Sequence, residues 1–186
     1  ELKKAVMCDD PKSQLEHLSV FLISNLYYMI NYIKPLTPYI GETCQAYLED
    51  GTYFYSEQIS HDPMVTYLYI INEKHNFKIL FPIEFKFNVF TNEARNHFKG
   101  VMEIHLKENK VFATLPELFV RGLVMGSRKV GFEGFICLHY PSKKLKSIIR
   151  VGLSNRNDKI TGYILNSNED LIKDYEKFEK NLLNKK

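Results

Sequence analysis

The sequence predicts a mainly β domain, in which an antiparallel sheet closes into a near-complete barrel beside an N-terminal helical segment and a C-terminal helix. First, the spacing of apolar residues changes from a helical period to a period of two near Thr43. Second, many short alternating segments follow with turn-forming residues between them. Third, the chain has 12 Tyr and 13 Phe; aromatic residues favour strands and also suit the lining of an apolar cavity.

The N-terminal helix is predicted from its cap and its apolar stripe. Asp10 is typical of an N-cap, and Pro11 is typical of the first helical position. Apolar residues then recur every three or four positions, at Leu15, Leu18, Phe21, Leu22, Leu26 and Met29. We therefore expect a helix over about Lys12 to Asn31, ending before Pro35 and packed against the barrel.

The rest of the chain is predicted as short strands followed by a final helix. The predicted strands are Met64–Ile71, Phe77–Phe81, Ile83–Val89, Val101–Leu106, Lys110–Thr114, Leu118–Val124, Gly131–His139, Ser147–Leu153 and Ile160–Leu165. Turns are expected at Asn72–Lys74, Lys107–Asn109 and Asn155–Asp158. This spacing indicates an antiparallel meander, and barrel closure would remove its exposed edges. Ser167 and Asp170 form a capping-box pattern that predicts the C-terminal helix.

Length and charge exclude several classes of protein. The 186 residues suit one domain over residues 1–186, and a net charge of +3 is too small to indicate a nucleic-acid partner. The basic run of Lys143, Lys144, Lys146, Arg150, Arg156 and Lys159 fits either a solvated face or a contact with an anionic membrane or phosphate.

Cysteine usage and hydropathy indicate a cytoplasmic protein. The three cysteines are an odd number without CxxC spacing, which argues against a disulfide framework and a zinc site. The apolar stretch Leu18–Ile30 is 13 residues long, and a spanning helix needs about 20. The N-terminus does not have the pattern of a signal peptide.

Two segments carry a more specific signal. Lys34–Thr43 (KPLTPYIGET) resembles the KP-(F/L)-N-P-x-x-G-E-(T/L) motif of the oxysterol-binding-protein-related family of lipid-binding domains. Glu57–Pro63 (EQISHDP) resembles the EQVSHHPP fingerprint of the same family, in the same order and at a similar interval. Leu115–Leu123 is a weaker match to a family strand, and the resemblance covers roughly residues 9 to 165.

The resemblance implies a barrel around a tunnel that holds a sterol or the acyl chains of a phospholipid. It implies non-enzymatic lipid binding and transfer between membranes, transient contact with membrane surfaces or contact sites, and no cofactor or metal. In the family, the lysine of the first motif and two histidines of the fingerprint grip the phosphates of phosphatidylinositol 4-phosphate. The corresponding phosphate-binding positions are Lys34, Thr37 (asparagine in the usual motif) and His61, and the other fingerprint residues are Glu57, Gln58, Ser60, Asp62 and Pro63.

The chain departs from the family pattern in three ways. Asp62 replaces the second histidine, and a carboxylate about 5 Å from a phosphate costs roughly 3 kcal/mol at an effective dielectric near 20, so we expect weak phosphoinositide binding. In the family a flexible N-terminal lid covers the tunnel opening. Few residues precede Asp9 here, which implies that most of this lid is missing. The chain also stops at Lys186, before the basic C-terminal helices of the family, which implies a reduced or incomplete domain.

Two other functions compete with lipid carriage. Ser60, His61 and Asp62 are the residue types of a hydrolase triad, but consecutive residues of an extended chain point to opposite faces. The sequence also contains no GxSxG or HExxH motif, so an enzyme is not expected. A barrel that has lost lipid exchange and serves as a structural or protein-docking module is the remaining alternative.

Overall fold

The computed structural model describes residues 1–30, 38–90, 92–153 and 156–166, without the side chains of residues 86–90, 153 and 156–159. Its helices are α1 (Leu2–Met7) and α2 (Pro11–Met29). Its strands are β1 (Thr43–Tyr47), β2 (Tyr53–His61), β3 (Met64–Asn72), β4 (Phe77–Phe90), β5 (Glu93–Lys99), β6 (Met102–Leu106), β7 (Asn109–Thr114), β8 (Glu117–Arg121), β9 (Lys129–Tyr140), β10 (Leu145–Leu153) and β11 (Arg156–Asn166). The C-terminal helix expected after Ser167 lies outside the described residues. No helix in the described ranges is long and apolar enough to cross a membrane.

Helix α2 begins as the sequence predicts. The carboxylate of Asp10 accepts a hydrogen bond from the backbone N–H of Ser13 at 2.8 Å, and Pro11 is the first helical residue. The helix ends at Met29, two residues before the expected Asn31. The short helix α1 was not predicted.

The eleven described strands form one antiparallel sheet that is, in effect, a meander. Strands β5 and β6 act as one interrupted strand, because they keep a single register against β4. Glu84 pairs with Lys99, while Leu80, four residues earlier, pairs with Glu103, four residues later. Strands β7 and β8 likewise run consecutively beside β9. The predicted antiparallel, mainly β fold is therefore confirmed; among the described strands β1 and β11 form the two edges and do not pair, as in a barrel that is not fully closed.

Strand β4 corrects one prediction about strand boundaries. Pro82 was expected to separate two strands, but β4 runs through it from Phe77 to Phe90. Pro82 has no N–H to donate, and it lies where the ladder between β4 and the next strand is interrupted at Gly100. A Cβ on Gly100 would lie 1.9 Å from the carbonyl oxygen of Pro82, and its φ is +121°, so only glycine fits this crossing.

Other strand boundaries also differ from the prediction. Strands β1, β2 and β5 were not predicted. Strand β1 is exposed along its whole length and β5 is mostly polar, so these two strands lack a clear apolar alternation. Strand β8 ends at Arg121 rather than Val124, and residues 122–128 form a loop. The expected turn at 155–158 is shorter, because Arg156 already pairs with Leu153.

Helix α2 packs against one face of the sheet, called the inner face below, and this confirms the expected packing. The hydroxyls of Ser19 and Ser147 are 3.0 Å apart, and the hydroxyl of Tyr140 donates to Oε1 of Gln14 at 3.0 Å. These buried polar contacts fix the helix on β9 and β10. The core around them is formed by helix and sheet residues that include Leu15, Leu18, Leu22, Ile79, Phe81, Ile104, Ile136 and Leu138.

Five charged side chains form a network on the opposite, outer face, across β5, β8 and β9. Arg95 pairs with Glu93, with Glu117 at 3.3 Å and with Glu133 at 3.2 Å. Arg121 pairs with Glu93 at 2.7 Å and with Glu133 at 3.2 Å. A hydrogen bond from Arg121, and a weaker effect of the one from Arg95, hold the pKa of Glu93 below its ordinary value.

Replacing Glu93 by Gln should lower the free energy of unfolding at neutral pH by on the order of 1 kcal/mol, because the network is only partly buried. The pKa of Glu93 in the folded chain lies below the ordinary 4.5, so its stabilisation is present above pH 4.5 and is lost as pH falls through the folded-state value. Urea unfolding at neutral and acidic pH should therefore show a difference between wild type and variant that shrinks in acid. Glu73→Gln, in the exposed β3–β4 turn, is the matched control. Equal losses in both variants would contradict the expectation.

Candidate functional site

The two motif segments of the sequence meet at Gln58. The backbone N–H of Gly41 donates to the carbonyl of Gln58 at 2.8 Å, and the N–H of Gln58 donates to the carbonyl of Glu42 at 3.1 Å. The pairing continues into β1 and β2, where Thr43 faces Glu57. The end of the first motif is therefore a short extension of the sheet beside the fingerprint.

A tight turn brings the first motif to this position. The N–H of Glu42 donates to the carbonyl of Tyr39 at 3.0 Å, and the carboxylate of Glu42 accepts from the N–H of Tyr39 at 2.8 Å. Gly41, the third residue of the turn, has φ +79°, as a type II turn requires. The glycine and glutamate of the motif thus have a backbone role.

Gln58, one of the fingerprint residues predicted from the sequence, has a structural role. Its side chain is 1% exposed. Its Nε2 donates to the carbonyl of Ser60 at 2.6 Å, and its Oε1 accepts from Oγ1 of Thr66 at 2.5 Å. A buried amide with both ends satisfied fixes the local path of β2.

Strand β2 contains a β-bulge at Ile59, which exchanges the faces of the sheet on which the following side chains lie. Gln58 pairs with Thr66, Ser60 pairs with Val65, and His61 pairs with Met64, so Ile59 has no partner across the ladder. In an uninterrupted ladder Ser60 would face Met64. The bulge instead places His61 on the inner face and Ser60 on the outer face, since paired residues share a face.

The hairpin turn after His61 consists of Asp62 and Pro63, joined by a cis peptide bond. All three residues are exposed. Within the described part of the chain, the imidazole of His61 makes no hydrogen bond. Asp62 follows it directly at the same end of the sheet.

The other two predicted phosphate-binding residues, Lys34 and Thr37, lie outside the described residues. The description resumes at Pro38, shortly before the turn that is bonded to Gln58. Of the predicted headgroup site, the structure therefore describes His61 and the second half of the first motif.

Apolar residues line the inner face next to the fingerprint. Met64 pairs with Phe85, and Phe85 pairs with Phe98 on its other side, where the two rings meet edge to face at 5.9 Å. These three side chains and those of Leu68 and Ile83 are only partly buried, and Leu68, Ile83 and Phe98 pack against the edge of the core. This part of the inner face is apolar and still accessible.

Several tyrosines lie on the outer face and do not line the interior. Tyr47, Tyr53, Tyr55 and Tyr69 form a row across β1 to β3, with ring centroids 6.2 to 6.3 Å apart. A shallow recess of about 300 Å³ lies beside them, lined also by Tyr67 and Glu57. Part of the high aromatic content therefore consists of tyrosines that pack on the outer face. The sequence alone did not distinguish these residues from aromatic residues that line a cavity.

The basic run after position 142 does not form one surface. Lys143 and Lys144 are exposed in the turn between β9 and β10. Lys146 is 1% exposed, and the side chains of Arg156 and Lys159 are not described. The solvated-face interpretation therefore fails for Lys146.

The chain matches the family model of the oxysterol-binding protein over residues 1–182, and it belongs to this family. It is 27% identical over 134 residues to oxysterol-binding protein 9 of Dictyostelium discoideum, a match that covers 72% of this chain and 31% of that protein. It is 23% identical over 186 aligned residues to oxysterol-binding protein-related protein 5 of Mus musculus, covering 92% of this chain and 21% of that protein.

Solved structures share the fold. The Osh1 ORD domain in complex with cholesterol superposes with a TM-score of 0.82 at 17% identity, over 89% of this chain and 41% of that chain. The Osh3 ORD of Saccharomyces cerevisiae in complex with PI(4)P gives 0.70 at 22% identity, over 91% of this chain and 48% of that chain. The chain thus spans about a third or less of these two relatives and less than half of the solved chains.

Replacing Gln58 by Ala should lower the free energy of unfolding by about 1–3 kcal/mol, because Thr66 and the carbonyl of Ser60 lose a buried partner. Gln45→Ala, on the exposed strand β1, is the matched control and should change stability by no more than about 0.5 kcal/mol. Urea unfolding followed by circular dichroism measures both. A Gln58 variant as stable as the Gln45 variant would contradict a structural role for the buried amide.

Proposed function

We propose that this chain is a non-enzymatic lipid-binding module that holds one sterol or phospholipid against the inner face of its sheet and carries it between membranes. The observation that carries the proposal is the bulge at Ile59, which places His61 on the inner face at the end where the two family motifs meet. A polar group at the entrance and an apolar surface behind it suit an amphipathic ligand.

The distribution of burial on the inner face supports space for a lipid. Under α2 the inner face is fully packed, with Ile104, Ile136 and Leu138 at 0% exposure. Next to the fingerprint, Leu68 and Ile83 stay partly accessible although they are apolar and face inward. An accessible apolar interior is stabilised when a hydrocarbon ligand covers it.

The ligand classes follow from the family. Osh1 ORD structures hold cholesterol or ergosterol, and an Osh3 ORD structure holds PI(4)P. By resemblance, a phosphate headgroup would contact Lys34, Thr37 and His61 through charge-assisted hydrogen bonds. A sterol would need only the apolar interior and a polar partner for its hydroxyl. No cofactor or metal is required for either.

Catalysis by the fingerprint is not proposed, because Ser60 and His61 lie on opposite faces of β2. A protein-docking module without lipid is the second candidate. It is favoured by the filled half of the inner face under α2 and by Asp62 in place of the second histidine.

Stoichiometric lipid capture tests the proposal. Purified chain, incubated with phosphatidylcholine vesicles or with cholesterol delivered by cyclodextrin, should carry one lipid in native mass spectrometry. Ile83→Trp adds bulk to the accessible inner face and should lower capture roughly tenfold, whereas Leu80→Trp on the outer face of the same strand should not. Wild type that captures no lipid in either format would favour the docking module. Equal capture by the two variants would place the lipid elsewhere.

Asp62→His should raise affinity for phosphatidylinositol 4-phosphate and leave sterol binding unchanged, because a sterol carries no charge. The exposed position of Asp62 screens its repulsion, so the gain should lie between about 1 and 3 kcal/mol, or roughly fivefold to a hundredfold. Titration with a soluble short-chain phosphoinositide measures it, with Asp50→His at the other end of β2 as the control. Tight binding by wild type, or no gain in the variant, would contradict the role given to Asp62.

A further inference from the structure

The loop between β8 and β9, residues 122–128, presents an apolar tip to solvent. Val124 and Met125 are each 76% exposed, which leaves two adjacent apolar side chains without cover. Neither lipid binding nor the docking alternative uses this loop, and the sequence predicted its first residues, 122–124, as strand.

The loop is held in a defined shape by Asn92, in the turn between β4 and β5. The Oδ1 of Asn92 accepts from the backbone N–H groups of Val124 at 2.9 Å and Met125 at 3.0 Å, and its Nδ2 donates to the carbonyl of Met125 at 3.0 Å. Its backbone carbonyl also accepts from the N–H groups of Gly122 and Leu123. One residue thus satisfies most of the polar backbone at the tip while the apolar side chains stay outside.

A close backbone crossing closes the base of the loop. Gly122 has φ +74°, and a Cβ there would lie 2.4 Å from the carbonyl oxygen of Ser127. The exposure of Val124 and Met125 is therefore a feature of a built loop and does not reflect an unstructured segment.

Strand direction places this loop at the same end of the sheet as the fingerprint. In the antiparallel meander β2, β4 and β8 run in the same direction, so the turns that follow them lie at one end. That end holds Asp62–Pro63, Asn92 and the 122–128 loop. It also holds the first motif, where Tyr39 and Ile40 are 84% and 67% exposed.

The opposite end of the sheet has a different character. Its turns at 73–76, 107–108 and 141–144 carry mostly polar and charged side chains of both signs, while Tyr47 and Leu48, at the β1–β2 turn, are exposed apolar residues. The motif-bearing end therefore presents exposed apolar side chains from two separate segments.

The charge near the tip is positive. The stretch from Leu118 to Phe132 has no acidic residue and contains three arginines or lysines. Arg121 is engaged by Glu93 and Glu133, while Arg128 and Lys129 are exposed directly after the tip. Apolar side chains with cations behind them suit the interface of an anionic bilayer.

We infer that the 122–128 loop is the membrane-contact element of this chain, with Val124 and Met125 entering the bilayer interface and Arg128 and Lys129 binding anionic headgroups. The inference rests on the proposed lipid-binding function, since it places the bilayer at the end where a lipid would enter. Its partner is a lipid surface and not a protein, because the exposed apolar tip is only two residues long and is followed by two exposed cations.

Vesicle flotation of the full chain tests the inference. Replacing both Val124 and Met125 by Ser should lower partitioning onto phosphatidylcholine–phosphatidylserine vesicles roughly tenfold or more. Replacing Arg128 and Lys129 by Ala should lower it about fivefold per cation on these vesicles, with little change on pure phosphatidylcholine. The matched controls at the opposite end are Leu48→Ser and the pair Lys143→Ala with Lys144→Ala, which should float like wild type.

Loading with cholesterol from cyclodextrin separates this inference from the proposed function, because it needs no bilayer. The Val124 and Met125 variant should load like wild type while failing to float. Wild type that floats but loads no lipid would overturn the proposed function alone. A Val124 and Met125 variant that floats like wild type, wild type that does not float, or controls at the opposite end that lose flotation would each overturn the membrane-contact loop.

Discussion

Backbone pairing between antiparallel strands is the constraint on which the rest of this structure depends, because each buried N–H and carbonyl needs a partner. The sheet satisfies it over eleven described strands and departs from it at a few defined points. Gly100 and Pro82 share one interruption, where a proline without N–H faces a glycine. Ile59 is another, and there the side chain of Gln58 bonds the carbonyl of Ser60 at the distorted backbone. These departures decide which side chains face inward.

The two faces of the sheet differ in what covers them. On the inner face, α2 is fixed by Tyr140 and Ser147 and covers one part, while the part next to the fingerprint stays apolar and accessible. On the outer face, Arg95 and Arg121 join three strands through carboxylates, and tyrosines stack across the first three strands. The charged network joins the strands on the outer face without occupying the interior.

The end of the sheet that carries the motifs combines polar and apolar groups in an order that suits lipid exchange. His61 lies on the inner face at this end, and Asn92 supports the exposed tip of Val124 and Met125 at the same end of the sheet. Under the proposed function, a lipid leaving a bilayer would pass from an interface held by the tip to an apolar surface beyond the imidazole. In the same proposal, Asp62 at this end would disfavour highly charged headgroups relative to neutral lipids.

The sequence by itself determined the elements that depend on local chemistry. The Asp10–Pro11 cap, the stripe of α2, the alternating strands and the two motifs are set by neighbouring residues, and all of them identified the fold class and family. Only the tertiary structure decided features that depend on partners distant in sequence. The bulge that turns His61 inward needs the register against Met64 and Thr66, the passage of β4 through Pro82 needs Gly100, and the burial of Lys146 and the outward position of Tyr55 depend on which face is covered. The loop that replaces the end of a predicted strand needs Asn92, which lies 32 residues before Val124. A pattern of apolar residues carries no information about such long-range hydrogen bonds, and for that reason they appear only when the chain is folded.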